Sequence, residues 1–253
     1  MKFQLNLLTL LVLLSSILFI GCRKAPENRH RGGSNYVATN SHGRDRERKS
    51  TERSRDKETK PEHRRNNKVL TGSEIFEEYA SAVFMVFTSD GINGFQGSGF
   101  FIDNMGLAVS NYHVFKGTTI GKEKIKLLGS DVAYNVSEII ERNSDKDFIL
   151  FRVDCTNNNS IPISETKPKV GERVYAIGSP RGLENTFSSG EVSQWRGDYL
   201  MQISNSIDHG SSGGALLNEF GEVVGITTGT FAANSQANLN YAWSIDVVKP
   251  YIK

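Results

Sequence analysis

The sequence has 253 residues, of which 38% are hydrophobic and 23% are charged, as expected for a soluble globular protein. The net charge of +2 hides three unlike segments: residues 1–22 are almost entirely apolar, residues 23–68 carry 15 Lys and Arg against 7 Asp and Glu, and residues 69–253 carry 14 against 21. A single long apolar run excludes a multi-span membrane protein, and the acidic third segment argues against nucleic-acid binding. Two cysteines exclude a disulfide-stapled scaffold and a cysteine-rich zinc module.

The first 22 residues have the composition of an export signal. Lys2 precedes a mostly apolar stretch from Leu5 to Ile20, which is shorter than a typical membrane-spanning helix. The Gly21-Cys22 pair that follows resembles a bacterial lipoprotein cleavage site, in which Cys22 becomes the lipidated first residue, although Phe19 stands where such sites usually have Leu. The alternatives are a plain signal peptide and an uncleaved anchor. We expect an exported protein of the bacterial cell envelope or periplasm, anchored to the membrane through a lipid on Cys22.

Residues 23–68 have no apolar periodicity that could build a core. Runs such as Arg44–Lys49 mix charges of both signs, so the conformational entropy of ordering this segment has no burial to offset it. We predict a disordered basic tether, which as a coil would span about 35–40 Å and hold a domain away from a membrane. Attraction to anionic lipid or nucleic acid is the alternative, and the seven interspersed acidic residues weaken it.

From residue 69 onward the sequence consists of short apolar runs separated by turn residues. Val, Ile, Phe and Thr dominate these runs, which predicts strands at Ala82–Phe87, Gly99–Ile102, Phe148–Val153, Arg173–Ile177, Gly214–Leu217 and Val223–Thr227. Hairpin turns are predicted at Asn104–Gly106 and Asn218–Gly221, and helical patterns occur only at Ser73–Tyr79 and after Asp246. Many short strands over residues 69–253 predict an all-β domain, either a sandwich or a pair of barrels.

The clearest chemical signature is the segment DHGSSGGA, which begins at Asp208. Its glycines let the backbone turn sharply, so the amides of Gly210 and Ser212 can point to one spot beside the Ser212 hydroxyl. Two such donors form an oxyanion hole, which stabilises the charge that develops when a serine attacks a carbonyl group. A Gly/Ser-rich surface turn is the alternative for this pattern taken alone.

A serine hydroxyl needs a base that takes its proton, and histidine is the usual choice. Three of the five histidines lie in the predicted tether, where no scaffold fixes them: His30, His42 and His63. His209 is on the Ser212 loop itself and cannot readily fold back as the base. His113, at the end of an apolar strand pattern, is therefore the best candidate, with a structural histidine as the alternative.

A carboxylate should hold that imidazole in the correct tautomer. Asp147 opens the apolar run Phe148–Val153 and is our candidate. Asp145 is the rival, and a solvated strand cap is the alternative for both.

These residues occur together with other motifs in a fixed order. The set consists of GSGF at 97–100, SNYHV at 110–114, DFILFRV at 147–153, VYAIGSPRGL at 174–183, SGEVS at 189–193, GSSGGAL at 210–216 and GIT at 225–227. Over residues 75–250 the sequence resembles the trypsin-like serine proteases, and specifically their bacterial HtrA/Deg branch.

The resemblance implies two six-stranded antiparallel β-barrels with a short C-terminal helix and an active site in the cleft between the barrels. It implies His113 as general base, Asp147 as its orienting acid and Ser212 as nucleophile, with the backbone N–H groups of Gly210 and Ser212 as the oxyanion hole. The chain order His, Asp, Ser is the one that this fold uses. We therefore expect a serine endopeptidase that cleaves unfolded or extended segments of exported polypeptides in envelope protein quality control.

Two departures from the family pattern affect regulation. HtrA proteases generally continue into PDZ domains, and this sequence ends at Lys253, so we expect no PDZ domain and leave the oligomeric state open. Ser211 stands where the family usually has Asn or Asp, and without a charge there we expect no activation by a newly formed N-terminal amine.

The resemblance also implies a set of substrate-binding residues, which are Ile207, Thr227, Thr228, Gly229, Thr230 and Phe231. Ile207 would line the base of the pocket for the residue that precedes the scissile bond. The next three would form the edge strand that pairs with the substrate backbone, and the last two would shape the pocket wall. No acid stands at the pocket base, so we expect a preference for small or medium apolar side chains.

Two rival functions come from other classes. A protease-shaped binding protein or chaperone without turnover is the first, although all three positions of the catalytic triad are filled. A phosphate or nucleic-acid site at Gly97–Gly99 is the second, and this triplet lacks the residues of a phosphate-binding loop. The proposed chemistry needs no cofactor, and we expect none; the histidines and acids show no metal-ligand spacing, so we expect no metal.

Overall fold

The computed structural model of this protein describes residues 68–119, 121–156, 158–179, 185–229 and 239–252. The predicted signal peptide at 1–22, including Cys22, lies outside the described residues, and so does the predicted tether at 23–68 apart from Lys68. In the part of the chain that is described, no helix has both the length and the apolar character needed to cross a membrane.

The first element is the helix α1, Gly72–Tyr79, where the sequence predicts a helix over Ser73–Tyr79. It begins with a capping box: the Glu74 backbone N–H donates to the Thr71 hydroxyl at 3.3 Å, and the Thr71 backbone N–H donates to the Glu74 carboxylate at 2.8 Å. Ile75 and Tyr79 form its buried face. A short 3-10 turn, Ala80–Ala82, then leads into the first strand.

The N-terminal half is an antiparallel sheet of seven strands in the order β5-β4-β1-β2-β3-β7-β6. Its elements are β1 Val83–Ser89, β2 Gly94–Phe101, β3 Leu107–Ser110, the short helix α2 Tyr112–Phe115, β4 Lys124–Leu127, β5 Ala133–Tyr134, β6 Val136–Asn143 and β7 Phe148–Val153. Only Asn135 separates β5 from β6, so the two edges of the sheet belong to one stretch of chain, and the sheet curls around to meet itself there.

The C-terminal half is a closed barrel of six antiparallel strands in the order β10-β13-β12-β11-β8-β9. Its elements are β8 Arg173–Gly178, β9 Thr186–Arg196, β10 Leu200–Ile203, β11 Ala215–Leu217, β12 Val223–Thr228 and β13 Asn240–Ser244. Two 3-10 turns, Ile245–Val247 and Lys249–Tyr251, follow β13. The predicted all-β fold is confirmed; in detail the N-terminal half has seven strands rather than six, and 3-10 turns stand where we expected a short helix.

Neighbouring residues along the central strands belong to different apolar cores, because successive side chains point to opposite faces of a sheet. Phe101 and Phe151 pack inside the N-terminal half, whereas Phe100 and Leu150 pack in a cluster that α1 and the C-terminal half share. A third cluster fills the C-terminal barrel around Met201. The two halves therefore meet through an apolar contact. The loops that carry the candidate site residues lie in the cleft between the two halves.

The capping box makes the stability of the protein depend on pH in a defined range. The pKa of Glu74 is lowered from its ordinary value of 4.5 to about 2, because its carboxylate accepts hydrogen bonds from the Lys68 side chain and from the backbone N–H and hydroxyl of Thr71. A carboxyl group whose pKa is lower in the folded state stabilises the fold above about pH 4.5, and this contribution is lost as the pH falls towards 2.

We expect Glu74→Gln to lower the melting temperature at pH 6 to 7, and the difference from the parent to shrink as the pH falls from about 4.5 to 2. Thermal melts of the parent and the variant between pH 2 and 7 measure this difference. Glu77→Gln controls for the loss of one negative charge on the same helix. A difference that stays constant down to pH 2 would contradict the assignment.

Candidate active site

The candidate histidine and aspartate lie side by side. His113 is in the helix α2, directly after β3, and Asp147 directly precedes β7; these two strands are neighbours in the sheet. The His113 ring Nδ1 lies 2.8 Å from Asp147 Oδ2, and the His113 backbone N–H donates to Asp147 Oδ1 at 2.9 Å. Both carboxylate oxygens therefore engage one residue, which fixes the ring as well as the backbone that carries it.

This contact decides the tautomer of the imidazole. A carboxylate only accepts hydrogen bonds, so Nδ1 carries the proton that faces Asp147 and Nε2 is left as the acceptor. The imidazole side chain is 46% exposed, whereas the Asp147 carboxylate is 17% exposed. The ring thus presents a proton-accepting nitrogen to the cleft, while its carboxylate partner is largely covered.

Asp147 holds a strained backbone conformation. Its φ of 45° is the one positive value at a non-glycine residue in the described ranges, and such a conformation costs about 1–3 kcal/mol. The side chain of Asn111, fully buried two residues before His113, donates from Nδ2 to the Asp147 carbonyl oxygen at 2.8 Å. Asn111 therefore fixes the turn that aims the carboxylate at His113, even though its own Oδ1 has no partner among the described atoms.

The same carboxylate has a partner from the opposite half of the protein. The Thr228 hydroxyl, at the end of β12, donates to Asp147 Oδ2 at 3.2 Å. The resemblance placed Thr228 in the substrate-binding edge strand and did not imply a contact with Asp147. The rival Asp145 is exposed, and its carboxylate lies 3.5 Å from the Ser144 hydroxyl instead of facing the imidazole.

The nucleophile candidate Ser212 lies on a tight turn that two left-handed glycines shape. Gly210 has a φ of 95° and Gly213 a φ of 89°. A Cβ atom on Gly213 would collide with the carbonyl oxygen of Ser98 and the hydroxyl of Ser110, so only glycine fits beside the serine. The turn is anchored by the Gly213 N–H, which donates to the Thr227 carbonyl at 2.8 Å.

The amides predicted to form the oxyanion hole are available for a ligand. Neither the Gly210 N–H nor the Ser212 N–H donates a hydrogen bond to another residue in the ranges that the structure describes. Both residues accept bonds through their carbonyl oxygens, including one from the Ser98 backbone N–H to Ser212 at 2.8 Å. Two amides without acceptors beside a serine hydroxyl are the arrangement that binds a developing oxyanion.

The hydroxyl of Ser212 is open to the cleft. Within the described residues it makes no hydrogen bond, either to His113 or to another group, and a Cβ atom on Gly229 would lie 3.8 Å from its Oγ. Catalytic hydrogen bonds are often long without substrate and shorten when substrate binds. Gly229 and Ser212 are thus neighbours, as expected for an edge that guides a substrate past the nucleophile.

A cavity of about 480 Å³ lies under the Ser212 loop. Its lining consists of Ala176, Ile177, Gly178, Thr186, Phe187, Ser188, Ser206, Ile207, Asp208, Ser211, Thr227 and Asn240. The structure thus brings the predicted residues Ile207 and Thr227 to one cavity, next to Ser211. The predicted pocket-wall residues Thr230 and Phe231 lie outside the described residues.

No metal centre is evident in the part of the chain that the structure describes, since His, Cys, Asp and Glu side chains form no group of three or more there that could hold an ion.

Sequence reasoning missed the roles of Asn111 and of the Thr228 hydroxyl. Both side chains are buried in the folded protein, and the sequence alone does not show that burial. Their partners come from segments 36 and 81 residues away, so only the folded chain shows what they bind.

Comparison with known proteins identifies peptidases as relatives of this chain. Residues 97–226 match the family model "Trypsin-like peptidase domain". The chain is 29% identical to "Protease Do-like 1, chloroplastic" of Arabidopsis thaliana, over 60% of this chain and 37% of that protein. It is 32% identical to "Probable periplasmic serine endoprotease DegP-like" of Halomonas elongata, over 60% of this chain and 33% of that protein.

A solved structure is similar as well. The serine endoprotease from Yersinia pestis superposes with a TM-score of 0.64 at 25% sequence identity, over 71% of this chain and 64% of that chain. The chain spans only about a third of the length of the two curated relatives named above. The resemblance to HtrA/Deg proteins is confirmed, and because the family model covers half of its length, the chain belongs to the trypsin-like peptidase domain family.

Proposed function

We propose that this protein is a serine endopeptidase that hydrolyses peptide bonds of exported polypeptides through His113, Asp147 and Ser212. The observation that carries the proposal is the His113–Asp147 pair, which two hydrogen bonds join, in the same cleft as Ser212. The N–H groups of Gly210 and Ser212 have no acceptor among the described residues. Membership of a peptidase family supports this reading, as do the protease names of the relatives.

The proposed reaction proceeds in two halves. In the first, Nε2 of His113 removes the proton of the Ser212 hydroxyl as Oγ attacks the substrate carbonyl, and the imidazolium then gives that proton to the departing amine. An acyl-enzyme remains on Ser212. In the second, His113 takes a proton from water as the water oxygen attacks the ester carbonyl, and the imidazolium then returns that proton to Ser212 Oγ as the Oγ–acyl bond breaks and the acid product leaves.

Each remaining group has a defined part in these steps. Asp147 stabilises the imidazolium and keeps Nε2 turned toward the serine, because it holds Nδ1 and the His113 backbone together. The amides of Gly210 and Ser212 stabilise the oxyanion, and one such donor is worth about 2.7–4 kcal/mol in a transition state. The Thr228 hydroxyl connects this apparatus to the C-terminal half.

The proposed location is the bacterial envelope. The DegP-like relative from Halomonas elongata carries the word periplasmic in its name, and the first 22 residues have the composition of an export signal. Lipidation of Cys22 would anchor the protein, and residues 23–68 would let the protease domain reach unfolded segments near the membrane. We propose envelope protein quality control as the setting.

A second function has one observation in its favour. The Ser212 hydroxyl makes no hydrogen bond to His113 among the described groups, as in a protease-shaped binding protein or chaperone that does not turn over. A test of serine reactivity separates the two functions directly.

We expect a fluorophosphonate probe to label the protein, and expect Ser212→Ala and His113→Ala to abolish labelling, because the first removes the nucleophile and the second its base. Gel fluorescence with heat-unfolded protein as the control measures this. Folded protein that stays unlabelled would favour the binding function.

We expect Asp147→Asn to lower kcat by about 10⁴-fold, because an amide cannot hold the imidazole in the productive tautomer. Asp145→Asn is the matched control, two residues away and exposed, and should change kcat by less than about twofold. Hydrolysis of a fluorogenic peptide gives both values. A larger loss with Asp145→Asn would shift the role of the orienting acid to that residue.

We expect cleavage of a peptide library to occur mainly after small or medium apolar side chains, since Ile207 lines the cavity under the Ser212 loop. Asp208 lines the same cavity, so an acid does stand in the candidate pocket, and the library also tests whether it attracts Lys or Arg. Ile207→Asp should shift the profile toward Lys and Arg, because the new carboxylate would pair with a cationic side chain. A parent profile dominated by Arg, Lys or Glu would contradict the assignment of this cavity.

A further inference from the structure

Ser98 is a fully buried serine in β2, and its hydrogen-bonding groups reach three other segments of the chain. Its backbone N–H donates to the Ser212 carbonyl at 2.8 Å, and its hydroxyl donates to the Gly210 carbonyl at 2.7 Å. The same hydroxyl accepts the Ser179 N–H at 2.8 Å, and the Ser98 carbonyl accepts the Ser110 hydroxyl at 2.7 Å. One residue of the N-terminal half thus contacts both residues whose amides would bind the oxyanion.

The two glycines beside Ser98 allow close packing around β2, and Gly97 is the one that faces the Ser212 turn. A Cβ atom on Gly97 would collide with the methyl groups of Val114 and would lie 3.2 Å from the Ser212 carbonyl oxygen. A Cβ atom on Gly99 would collide with the ring of Phe84. The sequence Gly-Ser-Gly therefore allows a close approach of backbones and places a single hydroxyl at the point of contact.

The bonds from Ser98 fix the backbone directly after each of the two amides. Gly210 has a φ of 95° and no Cβ, so its backbone has more conformational freedom than that of any other residue type. The Ser98 hydroxyl fixes the carbonyl of Gly210, and the Ser98 N–H fixes the carbonyl of Ser212. The Gly210 carbonyl belongs to the peptide unit shared with Ser211, and the Ser212 carbonyl to the unit shared with Gly213. The two bonds therefore fix the units that directly follow the Gly210 and Ser212 N–H groups, which restricts the ψ rotation of both residues and limits how far the turn that carries these amides can move.

We propose that Ser98 is a positioning residue for the oxyanion hole: it holds the amides of Gly210 and Ser212 in the geometry that turnover requires. The inference rests on the proposed protease function and deepens it. Ser98 does not touch the substrate; it acts through the two residues that do.

The test compares Ser98→Ala with Ser164→Ala in the otherwise unchanged protein. Ser164 is the matched control because it too is fully buried, donates its hydroxyl to a backbone carbonyl (Thr166, 3.1 Å) and accepts a backbone N–H, away from the cleft. Circular dichroism and thermal melts first establish that both variants fold. Each should lose some thermal stability, since each removes the hydrogen bonds of a buried hydroxyl.

The catalytic readout separates positioning from stability. We expect Ser98→Ala to lower kcat and the rate of fluorophosphonate labelling on the order of 10–100-fold, with KM changed by less than about twofold, because the loss falls on the transition state. Ser164→Ala should keep the parent values. Parent kcat in folded Ser98→Ala, or an equal loss of kcat in both variants, overturns the proposal.

A second readout does not depend on activity. In ¹⁵N-labelled protein, Ser98→Ala should shift the amide resonances of Gly210 and Ser212 and speed hydrogen exchange at the Ser179 N–H at least about tenfold. Ser164→Ala should leave these signals in place. If the parent protein does not react with the fluorophosphonate, that result alone overturns the proposed protease function. If the Gly210 and Ser212 resonances do not shift in Ser98→Ala, that separate result overturns the positioning role of Ser98.

Discussion

The apolar contact between the two halves is the constraint on which the chemistry depends. His113 and Asp147 come from the N-terminal half and Ser212 from the C-terminal half, so neither half alone contains the set of groups that the proposed reaction needs. Reacting groups must be held to well within 1 Å for efficient catalysis. Burial of a large apolar side chain contributes about 1.5–3 kcal/mol, and the shared cluster contains many, among them Phe100, Phe148, Leu150, Ile177 and Leu217.

Polar contacts across the cleft orient the groups that the apolar contact brings together. The apolar cluster sets the separation of the halves, but it does not aim a hydroxyl, an imidazole or an amide, because the hydrophobic effect is non-directional. Hydrogen bonds with defined geometry do so, from Thr228 to Asp147 and from Ser98 to the Ser212 turn. The strained backbone of Asp147 is tolerated because hydrogen bonds from three residues, Asn111, His113 and Thr228, hold it in place.

The strands that the sequence predicts are mostly buried on both faces, although the short strand β3 is equally buried and was not predicted. β7 alternates its side chains between the core of the N-terminal half and the shared cluster, so its sequence FILF is a continuous apolar run that marks a strand. β6 and β9 have one face open to solvent and carry Ser, Glu, Gln and Arg, so hydrophobicity alone does not mark them. β6 becomes a strand because it pairs with β7, and β9 because it pairs with β8 and β10, rather than because of local composition.

The sequence by itself determined the chemical inventory and its order: a serine in a glycine-rich turn, one histidine outside the predicted tether and that turn, an aspartate before an apolar strand, and the motifs that identify the family. It determined these because each depends on residue type and local backbone freedom. Only the tertiary structure decided which aspartate faces His113, that Thr228 and Asn111 hold it, and that Ser98 contacts both Gly210 and Ser212. Those contacts join residues far apart in the chain, and their distances exist only once the two halves have packed together.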